Sequence, residues 1–413
     1  MNTSLENLTH KMQRAAVGKM VDVVLSHADK DPEKTVGQIV DLAKQFYGGS
    51  FSDETYEHAK KILSDPDSKW SKLINCVLDQ TDPNVARTMA LNLGYEAFFR
   101  GTKTIRENRV KYQCNIPWLI LFDPTSACNM HCVGCWAGEY GHKNNLSFED
   151  MDKIITQGKE LGVYLYMLTG GEPLVRRGID ELVRRLRAIE GIRELAMTTN
   201  GARLAEYAER LKSAGLDRLN VSLDTLDPEK YRKITRIGSL SDTLAGLDAA
   251  RSAGFTRIKL NAVLMGGVND DEIPALAELA RDGAFDVRFI ELMPIGECAD
   301  WDRKRFIPAE RVLEVLPKAQ RVPSDGVAEL WRPEGWKGTV GLIRPLSHRF
   351  CADCDRIRIT PDGMLKPCLH SAREIPLRGK HGEALVCAIA EGIGGKPKEH
   401  HITDGRTSDS LRG

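Results

Sequence analysis

Six short apolar runs alternating with amphipathic helical stretches limit this chain more than any other feature. The runs are Trp118 to Asp123, Val163 to Leu168, Glu194 to Thr198, Arg218 to Leu223, Arg257 to Leu264 and Val287 to Met293. Helical periodicity fills the intervals, over Ser147 to Glu160, Ile179 to Ile189, Leu204 to Ala214, Ser241 to Ala253 and Asp270 to Asp282. Parallel strands need crossovers long enough to hold a helix, so this alternation implies a parallel sheet with helices outside it. Six units fall short of eightfold closure. The predicted fold class is therefore α/β, a partial (βα)6 TIM-like barrel, with sites gathered at the carboxyl ends of its strands.

The flanks read differently. Residues 1–110 form a predicted helical N-terminal extension, with capping signals at Asp31-Pro32 and Asp82-Pro83 and a stop at Gly48-Gly49 after Val36 to Tyr47. Apolar residues from Val85 to Phe99 also recur at helical spacing. Residues 111–295 hold the barrel. Residues 296–413 lose the alternation and show short β-like runs, Thr339 to Ile343 and Arg356 to Thr360, with a turn at Pro361-Asp362-Gly363. They are expected to form a small C-terminal domain that caps the barrel mouth, and the polar tail from Lys396 is expected to be mobile.

Charge and cysteine content narrow the function. Formal net charge is zero at pH 7, which gives no global attraction to nucleic acid or an anionic membrane. Any anionic substrate must then be held by local basic clusters. No apolar run approaches the roughly 18 residues of a membrane span, and Lys11, Arg14 and Lys19 break any signal-peptide core, so a cytoplasmic protein is expected. Ten cysteines in a reducing compartment point to metal rather than disulfides. Six of them fall into two triplets, Cys128, Cys132, Cys135 and Cys351, Cys354, Cys368. Cys76, Cys114, Cys298 and Cys387 lie outside these and read as ordinary small buried residues.

Thiolates at intervals of four and three residues can wrap one iron–sulfur cluster and leave one iron open for a substrate. Zinc is the alternative for the first triplet, with His131 or His142 as fourth ligand. For the second, His370 would complete a three-cysteine, one-histidine site. Gly170-Gly171-Glu172-Pro173 follows the second strand, where glycines allow close backbone approach and a carboxylate can accept from an ammonium group. Arg356 and Arg358 alternate onto one face of a strand, and with Arg288, Lys259 and Arg344 they suit a polyphosphate. A solvated basic face is the plainer reading of each arginine taken alone.

The first cysteine spacing together with the Gly-Gly-Glu-Pro turn resembles the radical S-adenosylmethionine superfamily. From about Arg193 onward the chain is similar to the GTP 3′,8-cyclase family of molybdenum cofactor biosynthesis. The stretches that carry this are Thr198 to Gly201, Asn220 to Leu226, Gly267 to Glu272, Arg288 to Pro294 and Phe350 to Arg358. Residues 1–190 look closer to another branch of the superfamily. The resemblance implies a radical S-adenosylmethionine lyase with two 4Fe–4S clusters, held by Cys128, Cys132, Cys135 and by Cys351, Cys354, Cys368. It implies S-adenosylmethionine contacts at Gly171, Glu172, Ser222 and Met293, and GTP contacts at Thr198, Lys259, Arg288, Arg356 and Arg358. The implied reaction converts GTP to (8S)-3′,8-cyclo-7,8-dihydroguanosine 5′-triphosphate. A low-potential electron donor and the cyclic pyranopterin monophosphate synthase that takes the product are the implied partners, and a homodimer is allowed for.

The chain departs from that family at named positions. Leu121 stands seven residues before Cys128, where an arginine is usual, and Met167 stands where a basic residue is usual. Gly134 precedes the third cysteine in place of an aromatic residue, with Trp136 after it. Leu411-Arg412-Gly413 replaces a terminal pair of glycines. Two other readings stay open: a radical enzyme of the superfamily acting on a peptide or small molecule, with the second cluster auxiliary, and a non-catalytic zinc-binding protein.

Overall fold

The computed structural model divides into two compact units, Met1–Glu107 and Asn108–Gly413. It describes residues 102–400 apart from 118, 139–143, 190, 296–297, 299–300, 302, 325–326, 352–353, 355, 372 and 397–398. Of the first 101 it describes 12–23, 40–41, 44, 52–65, 67–68, 71, 87 and 91. In the first unit residues 12–23 are helical, and helix α1 (Asp53–Ser64) begins at Ser52, whose hydroxyl accepts from the Thr55 amide at 3.3 Å. The signals at Asp31-Pro32, Gly48-Gly49 and Asp82-Pro83, and most of the segments from Val36 to Tyr47 and Val85 to Phe99, lie outside the described residues. Among the described residues no helix is long and apolar enough to cross a membrane.

The second unit is built on one twelve-stranded sheet. All six expected strands are present: β1 (Leu119–Phe122), β2 (Leu165–Leu168), β3 (Glu194–Thr199), β4 (Arg218–Ser222), β5 (Ile258–Leu264) and β6 (Asp286–Glu291). They lie side by side in chain order, each parallel to the next. Helices α2 (Phe148–Leu161), α3 (Ile179–Ala188), α4 (Leu204–Ser213), α5 (Pro228–Thr235), α6 (Leu240–Ser252) and α7 (Ile273–Glu278) fill the crossovers. The helix expected over Asp270 to Asp282 is shorter than its periodicity suggested. A 3-10 turn, Asp270–Glu272, precedes α7, and Pro274 in the first turn of α7 lacks the amide that would continue the helix backward.

The strands after residue 300 join the same sheet. They are β7 (Gln320–Val322), β8 (Glu329–Arg332), β9 (Val340–Ile343), β10 (Arg356–Ile359), β11 (Met364–Lys366) and β12 (Ile375–Pro376). β9 adds parallel to β6 at one edge and β10 adds parallel to β1 at the other. Short antiparallel strands then finish each edge. Helix α8 (Gly382–Gly394) packs on β11, where Gly392 leaves room for the Leu365 side chain.

Alternation along the strands divides the sheet into two unequal faces. Ile120, Phe122, Tyr166, Leu168, Ile258, Leu260 and Ala262 are fully covered. Tyr166 reaches the outer layer, where its hydroxyl donates toward the carbonyls of Ile155 in α2 and Val163, and Gly158 of α2 provides the space. The opposite face carries Leu119, Leu121, Leu165, Met167, Thr198, Lys259, Asn261 and Arg288, all only half-buried. A parallel sheet is normally buried on both sides, so this half-covered face, apolar on β1 and β2 and polar on β3 to β6, is the candidate place for a ligand.

Buried acids and amides fasten the loops at the strand ends. Glu291, at the end of β6, is fully buried and accepts from the amides of Ala309 (3.2 Å), Leu346 (3.0 Å) and Ser347 (2.9 Å) and from the Ser347 hydroxyl. Asn269, also fully buried, accepts from the Met265 amide at 2.8 Å and donates to the carbonyls of Asp224 (2.7 Å) and Val263 (2.8 Å). Glu291→Ala leaves the loop amides without acceptors in a dry site, each worth about 1–3 kcal/mol. Urea denaturation should show a loss of at least about 3 kcal/mol, where an ordinary surface substitution stays within about 0.5 kcal/mol.

Candidate active site

The first cysteine loop leaves β1 through Asp123-Pro124-Thr125. Its base is closed by an isolated bridge between Thr125 and Asn145 and by the Ser126 amide donating to the Asn144 carbonyl at 2.9 Å. Its tip is held by α5, which the sequence reading missed. The amides of His131 and Val133 donate to the Thr235 and Ile234 carbonyls at 3.2 and 2.8 Å. Those carbonyls belong to the last turn of α5 and have no partner within the helix. The signal for α5 was Asp227-Pro228: the Asp227 carboxylate caps the helix by accepting from the Glu229 and Lys230 amides.

The Gly-Gly-Glu turn lies directly against this loop. Gly171 and Glu172 donate their amides to the Thr125 and Ala127 carbonyls at 3.1 and 2.8 Å. A Cβ on Gly171 would collide with the Ala127 carbonyl oxygen, and one on Gly170 with Asp123. The glycines thus serve the approach of one backbone segment to another. Glu172 is buried, and its carboxylate accepts from the Leu174 amide (3.0 Å), the Thr199 hydroxyl (2.7 Å) and the Asn200 amide (2.7 Å). Burial raises its pKa while these donors pull the other way. In this state it ties the β2 and β3 ends together.

Gly134 has a φ of +82°, and a side chain there would run into the buried Cys298 sulfur. That contact explains why no aromatic residue stands before Cys135. Trp136 instead lies beneath the Arg358 guanidinium, 4.1 Å from ring centroid to the central carbon. Arg358 also donates to the fully buried Asp123 at 2.6 Å. This arginine, expected at the GTP, is thus engaged by an acid and a tryptophan of the first cysteine loop. Of the other cysteines, Cys114 and Cys298 are buried, Cys387 is exposed, contrary to expectation, and Cys76 lies outside the described residues.

The second triplet lies toward the other end of the same strands. Arg356 is level with Leu119 at the start of β1, so Cys354, two residues earlier, sits beyond the amino end. Antiparallel β11 sets Lys366 beside Arg358, which returns Cys368 to about the level of Arg356. Cys128 follows the carboxyl end of β1. The four residues of β1 alone separate the two ends by roughly 10 Å at about 3.3 Å per residue. The second triplet therefore does not share the carboxyl-end rim.

Between the two ends lies the half-buried face. Thr198 and Asn220 are cross-strand neighbours, with the Asn220 amide donating to the Thr198 hydroxyl at 3.2 Å. Both also approach the Met167 sulfur, at 3.5 and 3.4 Å. Lys259 is level with Asn220, and Asn261 with both Ser222 and Arg288. The buried Asn261 Oδ1 has no hydrogen-bond partner among the described residues. Leu121 stands between Arg358 and Met167. Ser222 is exposed at the end of β4, and Met293 is half-buried just beyond β6.

Thiols are the kind of ligand that an iron–sulfur cluster takes. Burial pushes Cys128 up to about 11, and burial followed by the charges of Cys135, Asp224 and Cys128 raises Cys132 further. Burial also raises Cys368, on which Cys354 and Cys351 act in the same direction. Members of each triplet are therefore near enough to feel one another's charge. Among the described residues no three His, Cys, Asp or Glu side chains converge closely enough for a single ion; the thiolates of a cube need not converge, since each binds its own iron.

Family comparison assigns residues 122–280 to the Radical SAM superfamily and residues 285–402 to Molybdenum Cofactor Synthesis C. The GTP 3′,8-cyclase of Alkaliphilus oremlandii is 43% identical over 70% of this chain and 93% of its own length. That of Peptoclostridium acidaminophilum is 45% identical over 68% of this chain and 90% of its own. The chain belongs to the GTP 3′,8-cyclase family. Its members are radical S-adenosylmethionine enzymes with 4Fe–4S clusters. Similarity over some 70% of the chain extends well before Arg193, so the family relation includes part of the first half as well. Among solved structures, Streptococcus suis SuiB bound to precursor peptide SuiA shares the fold, with a TM-score of 0.52, 14% identity, and coverage of 84% of this chain and 86% of that one.

The Asp123–Arg358 pair generates a pH prediction. Burial, ahead of the opposing pull of Arg358, raises Asp123 from 3.8 to about 6. Between about pH 4 and pH 6 the folded chain then binds this proton more tightly than the unfolded chain. Stability from this group is thus greatest at the acid end, falls as pH rises through that window and is level above it. Asp123→Asn should remove that slope. At pH 7.5, because the neutral amide resembles the protonated acid, the variant should keep the stability that the parent loses through that window. Denaturant titrations across pH 4 to 7.5 check both.

Proposed function

We propose that this chain catalyses the cyclisation of GTP to (8S)-3′,8-cyclo-7,8-dihydroguanosine 5′-triphosphate in molybdenum cofactor biosynthesis. One observation carries the reading: two cysteine triplets lie toward opposite ends of the same strands, with Thr198, Lys259 and Arg288 between them on the half-buried face. When bound, the clusters and S-adenosylmethionine supply the electron and the deoxyadenosyl radical that takes the C3′ hydrogen of GTP.

The chain's own residues bind and orient. Cys128, Cys132 and Cys135 hold one cluster, Gly171, Ser222 and Met293 line the S-adenosylmethionine site beside it, and the buried Glu172 supports that site from behind by tying the β2 and β3 ends. Cys351, Cys354 and Cys368 hold the other. Lys259, Arg288 and Arg356 grip the triphosphate, with Arg358 adding to their field from its pair with Asp123, and Thr198 positions the nucleotide. Fixing ribose and base at two anchored ends makes C3′–C8 closure an intramolecular event, where orientation lowers the barrier most. A low-potential electron donor and a pyranopterin-forming enzyme that consumes the product are the partners this chemistry requires.

Anaerobic turnover of GTP deuterated at C3′ tests the reaction. Deuterium should appear in the deoxyadenosine formed, and deoxyadenosine without it would exclude abstraction at that carbon. Leu121 and Met167 are side by side and make the β1–β2 wall apolar, which favours one competing reading: a different substrate for the same machinery. Leu121→Arg adds a charged donor worth about 1.5–3 kcal/mol. Equilibrium dialysis should show GTP bound about tenfold tighter or better. Unchanged affinity, with some other compound consumed, would favour the competing reading.

A further inference from the structure

The polar segment after α8, expected to be mobile, is docked where it is described. The Lys396 ammonium donates to the Arg356 carbonyl at 2.7 Å and to the Cys354 sulfur at 3.3 Å. Arg349, two residues before Cys351, donates to Glu399 at 2.9 Å. The buried His400 ring places Nε2 at 2.6 Å from the Pro345 carbonyl oxygen. Within five positions the segment thus grips the chain on both sides of Cys351 and Cys354: the approach at 345 and 349, and the entry to β10 at 356. Nothing in the spacing of the triplet announces a lysine so far downstream.

We propose that Lys396 is a positioning residue for the second iron–sulfur cluster, its ammonium holding the Cys354 thiolate and the Arg356 carbonyl together and setting a fixed positive charge beside that cluster. This rests on the reading of Cys351, Cys354 and Cys368 as cluster ligands. Lysine suits the place, since its compact ammonium has several donors and can serve a sulfur and a carbonyl at once. A donor to a ligating sulfur stabilises the form with more negative charge, which is the reduced one, and so raises the reduction potential. The same bond opposes departure of Cys354 from its iron. A lysine that merely ended α8 would do neither.

The test compares full-length, anaerobically reconstituted protein with its Lys396→Met and Lys396→Arg variants. Redox titration followed by electron paramagnetic resonance gives the potential of each cluster, and a chelator challenge gives iron retention. In Lys396→Met one of the two clusters should show a reduced-to-oxidised ratio about tenfold lower at fixed potential, a shift of about 59 mV for one electron. It should also lose that cluster's iron several-fold faster, while the other cluster is unchanged. Lys396→Arg should recover most of both effects, because it keeps the charge and the donors. Unchanged potentials and retention in Lys396→Met would overturn the proposal. Loss of secondary structure in both variants would show a purely structural role and overturn it as well. If the unsubstituted chain holds only one cluster, the ligand reading itself fails, and the role of Lys396 falls with it.

Discussion

Buried acceptors at the ends of the strands make the rest of this structure possible. A loop that leaves a parallel strand carries amides that must find acceptors, and in a dry site each one left over is costly. The buried Glu172, Asn269 and Glu291 and the half-buried Asp224 and Glu272 meet that need. Glu172 joins the β2 and β3 ends, and Glu272 accepts from the Thr225 hydroxyl (2.6 Å) and the Leu226 amide (2.7 Å) of the loop after β4. Each joins its loop to a neighbouring segment, and Glu172 and Asn269 also accept from an amide of their own loops. The rim is therefore tied around its length, and the first cysteine loop rests on a support rigid enough to fix ligand positions.

Direction is the second consequence of the parallel sheet. β10 enters beside β1 in the same sense, so the cysteines before β10 and those after β1 fall toward opposite ends. The half-buried face between them is not uniform. Its β1–β2 side presents Leu119, Leu121, Leu165 and Met167, while its β3–β6 side presents Thr198, Asn220, Lys259, Asn261 and Arg288. An anionic group is drawn to the second side, and an apolar surface of the ligand is best covered by the first. Arg358 joins the two regions, reaching from β10 to Asp123 and Trp136 of the first cysteine loop.

Much of this was legible in the residues, for reasons of range. Six strands and most of their helices were visible because period-two and period-3.6 patterns are local. Cysteine spacing and the Gly-Gly-Glu-Pro turn were legible for the same reason. Helix α5 escaped because it is only eight residues long and its apolar face is little more than Tyr231 and Ile234, although Asp227-Pro228 marked its start. Strand pairing over more than two hundred residues, which sets β10 beside β1, leaves no local trace. Nor does any local pattern show that Glu172 would spend its oxygens on Leu174, Thr199 and Asn200, that Arg358 would pair with Asp123, or that Lys396 would reach Cys354. The end at Arg412-Gly413 lies outside the described residues.

Two incompletely ligated cubes serving one substrate face are the core of the functional reading. Iron and sulfide content with Mössbauer spectra, measured on oxygen-free protein and on chains with alanines at either cysteine triplet, tests it most directly. The unsubstituted chain should hold roughly eight irons in two 4Fe–4S clusters, and each triplet variant should keep roughly four. Zinc in place of iron, or a single cluster lost with one triplet and indifferent to the other, would contradict it.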